Sequence, residues 1–201
     1  MKNVIRRLRK RIKRSKGFTL VEVLFSILIL MLSTTVILQC FNLGMGHFIS
    51  QTRSSEAQLL CSALTSSLQN ELTYARDIQI TDGKLDTYFS SSRRMGEGSQ
   101  IVVENGEVKI KIKGSTDPDD IYPLVASSNY LAKNRKGADG SGYFLKAYLK
   151  DNAITWDGTN NSFNITIWVD DANKAALTAD EAKDHALAYS SFSVKPLATV
   201  R

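Results

Sequence analysis

Glu22 is the only charged residue in a long apolar segment, and its position calls for a chemical explanation. A carboxylate inside a membrane segment is costly unless a positive group pairs with it. A cut between Gly17 and Phe18 would create an α-ammonium at Phe18, four residues before Glu22, and residues four apart share one face of a helix. The sequence therefore points to a cleaved N-terminus that compensates Glu22.

The apolar segment around Glu22 is long enough to cross a membrane. Phe18 to Phe41 is 24 residues, about 36 Å of helix at a rise of about 1.5 Å per residue. After Glu22 the next charged residue is Arg53. We therefore expect a transmembrane helix over 18–41.

The leader, residues 1–17, holds most of the positive charge of the chain. Nine of the 26 Lys and Arg residues lie there with no acid, which leaves 17 basic and 20 acidic side chains from Phe18 onward, a net charge of −3. Basic residues beside a span favour the cytoplasmic side. We expect a single-pass inner-membrane protein with its N-terminus inside and the rest outside, and the high pI does not indicate a nucleic-acid binder.

Three other interpretations of this region fit its residues less well. A secretory signal is cut after its apolar core at small residues, and none of that kind surrounds Cys40. A lipoprotein signal would use Cys40, but Gln39 precedes it where a small residue is expected. A plain membrane anchor explains the length and the charge asymmetry and leaves Glu22 unexplained.

The run Lys16-Gly17-Phe18-Thr19-Leu20-Val21-Glu22-Val23 resembles the processing signal of type IV pilins and pseudopilins. The resemblance covers about residues 10–45. It implies cleavage after Gly17, methylation of the new N-terminus at Phe18, and a role for Glu22 in setting subunit register. It also implies that the helix then packs in a filament core, through apolar residues that include Leu20, Val21, Val23, Leu24, Ile27 and Leu28.

The same resemblance implies partners rather than cofactors. These are other pilin or pseudopilin subunits, a prepilin peptidase, an assembly ATPase and a polytopic platform protein of the membrane. No cofactor is expected. The filament system, whether for secretion, competence, motility or adhesion, is left open.

Beyond the span, the helix is predicted to continue over 42–77 as an amphipathic segment. Leu60, Leu64, Leu68 and Leu72 recur every four residues, with Ala57, Cys61 and Ala75 beside them. Such a stripe faces the core of a protein, and the resemblance to pilins implies that it packs on a sheet. Gly44 and Gly46 interrupt the helix and leave two interpretations open, close packing or a kink on one side and local melting during assembly on the other.

Residues 78–201 are predicted to form one β-rich extracytoplasmic head. Asn105-Gly106 between alternating runs predicts a two-residue hairpin, and Thr178 with Glu181 has the spacing of a helix capping box. Loops are expected at 114–120 and 133–142. Further strands are predicted at 85–89, 142–149, 153–156, 163–169 and 186–194. The fold class is α+β, a long N-terminal helix packed on a small antiparallel sheet.

Few residues offer other chemistry. Cys40 and Cys61 are roughly 30 Å apart along one helix, too far for a disulfide, and His47 and His185 have no ligand-like spacing. No catalytic motif is present, so we predict a protein that is not an enzyme.

Two further stretches could form binding sites, and each has a simpler structural explanation. Asp117-Pro118-Asp119-Asp120 could offer oxygen ligands to calcium, although it fits no EF-hand loop and a solvated turn explains it. Lys109, Lys111 and Lys113 form a basic row that could contact DNA phosphates, but three lysines on a solvated strand face are ordinary.

The sequence thus predicts a structural subunit of a type IV pilus-like filament, a minor pilin or pseudopilin. One alternative is a membrane-tethered adhesin or binding domain that is not processed. Another is a processed filament tip whose head also binds a ligand. Cleavage separates the first alternative from the filament subunit, and only a binding assay separates the second.

Overall fold

The computed structural model describes residues 19–90, 98–126, 130–136 and 142–198. The leader, with Gly17 and Phe18, lies outside the described residues, so the predictions for those two positions are not addressed by the structure. The chain divides into two compact units, Met1–His47 and Phe48–Arg201. They are described separately below.

Helix α1, Leu20–Thr73, contributes to both units. In the first unit, every described residue from Thr19 to Met45 is exposed. In the second unit the helix buries one side, and the predicted stripe is confirmed because its residues lie in the hydrophobic core. These are Ala57, Leu60, Cys61, Leu64, Leu68 and Leu72.

The helix ends three residues earlier than the predicted end near Arg76–Asp77. Strand β1 already begins at Arg76, and Asp77 takes a positive φ of 46° that a helix does not allow. Ala75 and Ile78 are both fully buried. The stripe therefore continues into the core through a turn and a strand rather than through another helical turn.

The second unit contains a ten-stranded antiparallel sheet. Its strands are β1 (Arg76–Thr81), β2 (Lys84–Phe89), β3 (Ser99–Glu104), β4 (Glu107–Ile112), β5 (Ile121–Pro123), β6 (Leu131–Lys136), β7 (Gly142–Leu149), β8 (Thr155–Asp157), β9 (Ser162–Asp171) and β10 (Ala188–Val194). The order is β5-β4-β3-β2-β8-β9-β7-β6, with β1 on β2 and β10 on β9. A short helix α2, Ala179–His185, precedes β10.

The sheet curls so that strands far apart in its order come together. The amide of Ala147 on β7 donates to the carbonyl of Gly106 at 2.9 Å, and the amide of Val108 on β4 donates to the Tyr130 hydroxyl at 3.1 Å. The curl encloses a core shared with the stripe of α1. Its other members include Tyr88, Val108, Phe163, Ile165, Ile167 and Val169. The predicted α+β class is confirmed.

Several local predictions are confirmed in detail. The β3–β4 hairpin pairs Glu104 with Glu107 around Asn105 and Gly106, which have φ of 55° and 80°, as a type I′ turn requires. The capping box at the start of α2 is present, with the Thr178 hydroxyl accepting from the Glu181 amide.

Other boundaries differ from the prediction. The expected loop at 133–142 is wrong for its first four residues, which lie in β6, and for Gly142, which begins β7; residues 137–141 lie outside the described ranges. Residues 133–136 are Lys-Asn-Arg-Lys, and an edge strand such as β6 tolerates this charge. The strand expected at 153–156 is β8, Thr155–Asp157, so it begins two residues later than predicted and follows a 3₁₀ turn at Lys150–Asn152.

Candidate functional site

The apolar part of α1 is the candidate site, because it presents large apolar side chains to solvent on all sides. Its 18-residue window of highest mean hydropathy reaches 2.4, and none of that window is buried. By length and composition it is the one membrane-span candidate among the described residues. The exposed side chains include Leu20, Val21, Val23, Leu24, Ile27 and Leu28, the residues predicted to pack in a filament core.

Thr19 begins this helix. Its side-chain oxygen accepts a hydrogen bond from the Glu22 amide at 3.2 Å, and its carbonyl accepts from the amides of Glu22 and Val23. Thr19 therefore acts as an N-cap, satisfying a helix-terminal N–H that has no partner within the helix. This cap was not predicted from the sequence, although Thr-x-x-Glu at 19–22 is itself a capping signal.

Glu22 lies in the first turn of α1, three residues after this cap. The N-terminal end of a helix carries partial positive charge from its unpaired N–H groups, which favours a nearby carboxylate. The helix itself thus offers Glu22 part of the positive charge that its carboxylate requires in an apolar segment. This effect is confined to the first turn, and Glu22 is exposed, so its side chain remains open to a further positive group.

Hydroxyl groups within the apolar segment are satisfied by the helix. Ser26, Ser33 and Thr34 donate to carbonyls four residues earlier at 2.7–2.8 Å, and Thr35 donates to Leu32. A bilayer core contains no water to pair with such groups, so internal pairing is required there. These polar residues are therefore compatible with a span.

Gly44 and Gly46 lie at the end of the first unit. A Cβ built on either glycine meets nothing within 4 Å. Among the described residues, no close neighbour requires a glycine at these two positions. The prediction of local melting at these glycines stays a prediction.

The two cysteines lie apart on α1 and are both free. Cys40 is exposed and Cys61 is buried, where desolvation raises the pKa of its thiol. Cys61 is a packing residue of the core, as predicted.

The basic row on β4 is largely neutralised. Lys111 and Lys113 lie 3.0 Å and 2.7 Å from carboxylates of Glu104 and Asp86, and Lys109 lies 3.5 Å from Glu107. Their face was expected to be solvated, yet Lys109 and Lys111 are half-buried. Paired lysines are poor phosphate ligands, which counts against DNA contact.

The Asp117–Asp120 segment forms a capped 3₁₀ turn. Asp117 accepts from the Asp119 amide at 2.9 Å, and Asp120 accepts from the Ser115 hydroxyl at 2.5 Å. Two of the carboxylates are thus used by the turn itself. Within the described ranges no group of three or more His, Cys, Asp or Glu side chains could hold a metal ion.

Two polar contacts of the second half of α1 were not predicted from the sequence. Arg53 Nη1 lies 3.0 Å from Asp171 Oδ2 at the end of β9. Glu71 is buried and accepts from the Ser90 hydroxyl. Burial, and then the charge of Glu71, raise the pKa of Tyr88. The available signal was that Arg53 and Glu71 are charged residues beside the apolar stripe. Their partners, Asp171 and Ser90, could not be identified because they lie on other elements of the chain.

A family model described as the prokaryotic N-terminal methylation motif matches residues 12–38. This motif is the signal of type IV pilins and pseudopilins and indicates a processed, pilin-like subunit with a structural role. With the apolar helix it indicates anchoring in a membrane and then presence in a surface filament. No curated protein and no solved structure matches the chain.

Proposed function

We propose that this chain is a minor pilin or pseudopilin, cleaved after Gly17, methylated at Phe18 and assembled into a type IV pilus-like filament through its N-terminal helix. The observation that carries the proposal is the methylation motif at residues 12–38 on a helix whose apolar side chains are exposed on every side. The leader is residues 1–17 and the membrane and filament-core segment is 18–41. The connecting helix runs from 42 to Thr73, and the head follows, with its first strand at Arg76.

The exposed segment needs an apolar environment at each stage. Burial of an apolar side chain such as Leu24 or Ile27 stabilises by roughly 1.5–3 kcal/mol. The bilayer supplies that burial before assembly, and the packed helices of neighbouring subunits supply it in the filament. The same side chains therefore serve as anchor and as filament core, and transfer between the two environments keeps them out of water.

Glu22 distinguishes this function from plain anchoring. In an apolar surrounding its carboxylate is stabilised by a positive group, and the helix N-terminus alone supplies only a partial charge. The α-ammonium at Phe18 of a neighbouring subunit supplies a full charge. Because this pair forms at one stagger of adjacent helices, it sets the register of assembly.

The assignment as a minor subunit rests on sequence features. The leader is long, the head is fairly large, and no cysteine pair lies near the C-terminus, since no cysteine follows Cys61. The partners are other pilin or pseudopilin subunits, the prepilin peptidase, the assembly ATPase and the platform protein. The N-terminus lies in the cytoplasm before cleavage, the helix crosses the inner membrane once, and the head lies outside.

Substitution of Glu22 tests the assembly role separately from membrane insertion. In cells that carry the assembly machinery, Glu22→Gln should leave the protein in the membrane fraction and lower its recovery in sheared filaments by about tenfold or more, equivalent to roughly 1.4 kcal/mol. Glu22→Asp, which keeps the charge, is the matched control and should retain more of the filament signal. Equal recovery of Glu22→Gln and wild type would contradict the assembly role.

A further inference from the structure

A groove of about 540 Å³ lies between α1 and the segment that runs from α2 into β10, within the second unit. Small-molecule sites in proteins are concave and enclose about 300–1,000 Å³. The groove therefore has the size of a ligand site, and the side chains of its two walls indicate which class of ligand it accepts.

The wall formed by α1 is a stripe of uncharged polar side chains. Gln58, Ser62 and Ser66 recur every four residues, so they share one face of the helix, and all three are exposed. Ser66 is eight positions after Gln58, which is about 12 Å of helix. With Thr65, this wall offers one amide and three hydroxyl groups, and each of these groups can both donate and accept hydrogen bonds.

The opposite wall combines an aromatic ring, a hydroxyl group and a cation. Tyr189 is 37% exposed, and Ser190 follows it on β10. Lys183 of α2 is exposed and forms no ion pair with any residue that the structure describes, unlike the lysines of the basic row on β4. The described lining contains no acidic side chain. The groove therefore offers a ligand one positive charge that its own lining does not neutralise.

A hydrogen bond joins the two walls. The Thr65 hydroxyl donates to the Ser190 hydroxyl at 3.2 Å, and both residues are half-buried. Cys61, which also lines the groove, is only 4% exposed. Because the hydroxyl bond holds α1 against β10, the groove is formed before any ligand binds.

The walls exclude several classes of ligand. An apolar ligand would cover the amide and hydroxyl groups without offering them hydrogen bonds, which is unfavourable. A cationic ligand would meet Lys183 and no acid. A nucleotide or another polyanion requires clustered positive charge, and the described lining has a single lysine.

We infer that the groove binds an acidic saccharide, a sugar that carries one carboxylate. The Lys183 ammonium pairs with the carboxylate through a charge-assisted hydrogen bond. The amide of Gln58 and the hydroxyls of Ser62 and Ser66 exchange hydrogen bonds with the sugar hydroxyls. The ring of Tyr189 packs against the apolar C–H face of the sugar. The ligand thus matches the charge, the hydrogen-bonding groups and the aromatic surface of the groove together.

The inference concerns the head alone and goes beyond the proposed filament function. Binding is measured on the purified chain, whether or not residues 1–17 are still attached. Processing is measured by the N-terminal residue. Either result can therefore fail while the other holds.

Saturation-transfer NMR tests binding with the full chain in a detergent that has no sugar headgroup. Glucuronate and N-acetylneuraminate are the probes, because they share a sugar ring with one carboxylate and differ in their other substituents. At least one of them should receive saturation from the protein, and glucose and acetate should receive much less at equal concentration. No transfer to either acidic sugar would overturn the inference, and equal transfer to glucose or to acetate would also overturn it.

Removal of the cation tests the role of Lys183. Lys183→Gln should weaken binding of the acidic sugar by about fivefold, as expected for an exposed ion pair. Lys195→Gln is the matched control, since Lys195 is also an exposed lysine and lies outside the described lining. Equal affinities of Lys183→Gln and Lys195→Gln would contradict the pairing of Lys183 with the carboxylate.

A charge on the α1 wall tests the location of the site. Ser62→Glu places a carboxylate in the groove and should weaken binding by about tenfold or more, because like charges then meet. Gln69→Glu puts the same charge at an exposed position of α1 outside the described lining and should leave binding unchanged. An unchanged thermal midpoint in both variants would show that the fold is intact. Wild-type affinity in Ser62→Glu would overturn the groove as the binding site.

Discussion

Arg53 of α1 and Asp171 of β9 form an ion pair with a distance of 3.0 Å between Nη1 and Oδ2, and the Asp171 side chain is only 4% exposed. The Asp171 carboxylate also accepts from the Asn173 amide at 3.0 Å. The first charged residue after the apolar segment is thus held at the end of the longest strand. This contact attaches the start of the buried half of α1 to the sheet.

Loss of the Asp171 charge should therefore destabilise the head. Asp171→Asn keeps the shape of the side chain but removes its charge beside Arg53, and we expect a loss of about 1–3 kcal/mol in the free energy of unfolding. Asp86→Asn is the matched control, since its partner Lys113 is 54% exposed; pairs at the surface contribute about 0–1 kcal/mol. Denaturant unfolding of the detergent-solubilised chain, followed by tryptophan fluorescence, gives both values. Equal losses of unfolding free energy in the two variants would show that the Arg53–Asp171 pair stabilises the head no more than an exposed surface pair does.

Tyr130 supports the curl of the sheet through the hydrogen bond from the Val108 amide. Tyr130→Phe would leave that buried amide without its partner, which should cost about 1–3 kcal/mol at neutral pH. The expected result is a lower midpoint of unfolding with an unchanged denaturant slope. A stability equal to wild type at pH 7 would contradict this role.

The pH dependence of stability follows from the same tyrosine. Burial, partly offset by the Val108 hydrogen bond, raises the pKa of Tyr130 to about 12. The folded state then holds this proton more tightly than the unfolded state, so its contribution is complete below pH 10 and is lost between about pH 10 and 12. Wild type should lose stability over this range more steeply than Tyr130→Phe. Parallel curves for the two proteins would contradict the raised pKa.

Gly106 is required by a close approach as well as by its backbone. At a φ of 80°, a Cβ on Gly106 would lie 2.7 Å from Cβ of Lys146, so strand β7 would have to shift. Gly83 has a similar φ of 71° but no atom within 4 Å of such a Cβ. Gly83→Ala should cost about 1–2 kcal/mol for its conformation, and Gly106→Ala should cost more by about 1–3 kcal/mol for the overlap. Thermal unfolding of the two variants measures this difference in stability. Equal losses would mean that β7 shifts to accommodate the added Cβ without a measurable loss of stability.

The sequence predicted the features that depend on local patterns. The four-residue spacing of Leu60, Leu64, Leu68 and Leu72 identified the buried stripe, and Asn105-Gly106 identified the hairpin. The capping box before α2 was found in the same way. Each of these signals lies within a few residues of the structure it specifies.

Features that depend on distant partners could not be predicted. The loop predicted at 133–142 includes residues 133–136 of β6, and only the place of this strand at the sheet edge explains why a strand tolerates their charges. The Arg53–Asp171 contact joins residues 118 positions apart.

The central claim is that the chain is processed between Gly17 and Phe18. The most direct test is the intact mass and N-terminal residue of the protein purified from its native membrane. We predict a chain that begins at Phe18 and is heavier by one methyl group. A chain that retains residues 1–17 in cells with an active prepilin peptidase would contradict the account and favour a membrane-tethered extracellular domain. A start at a modified Cys40 would instead identify a lipoprotein.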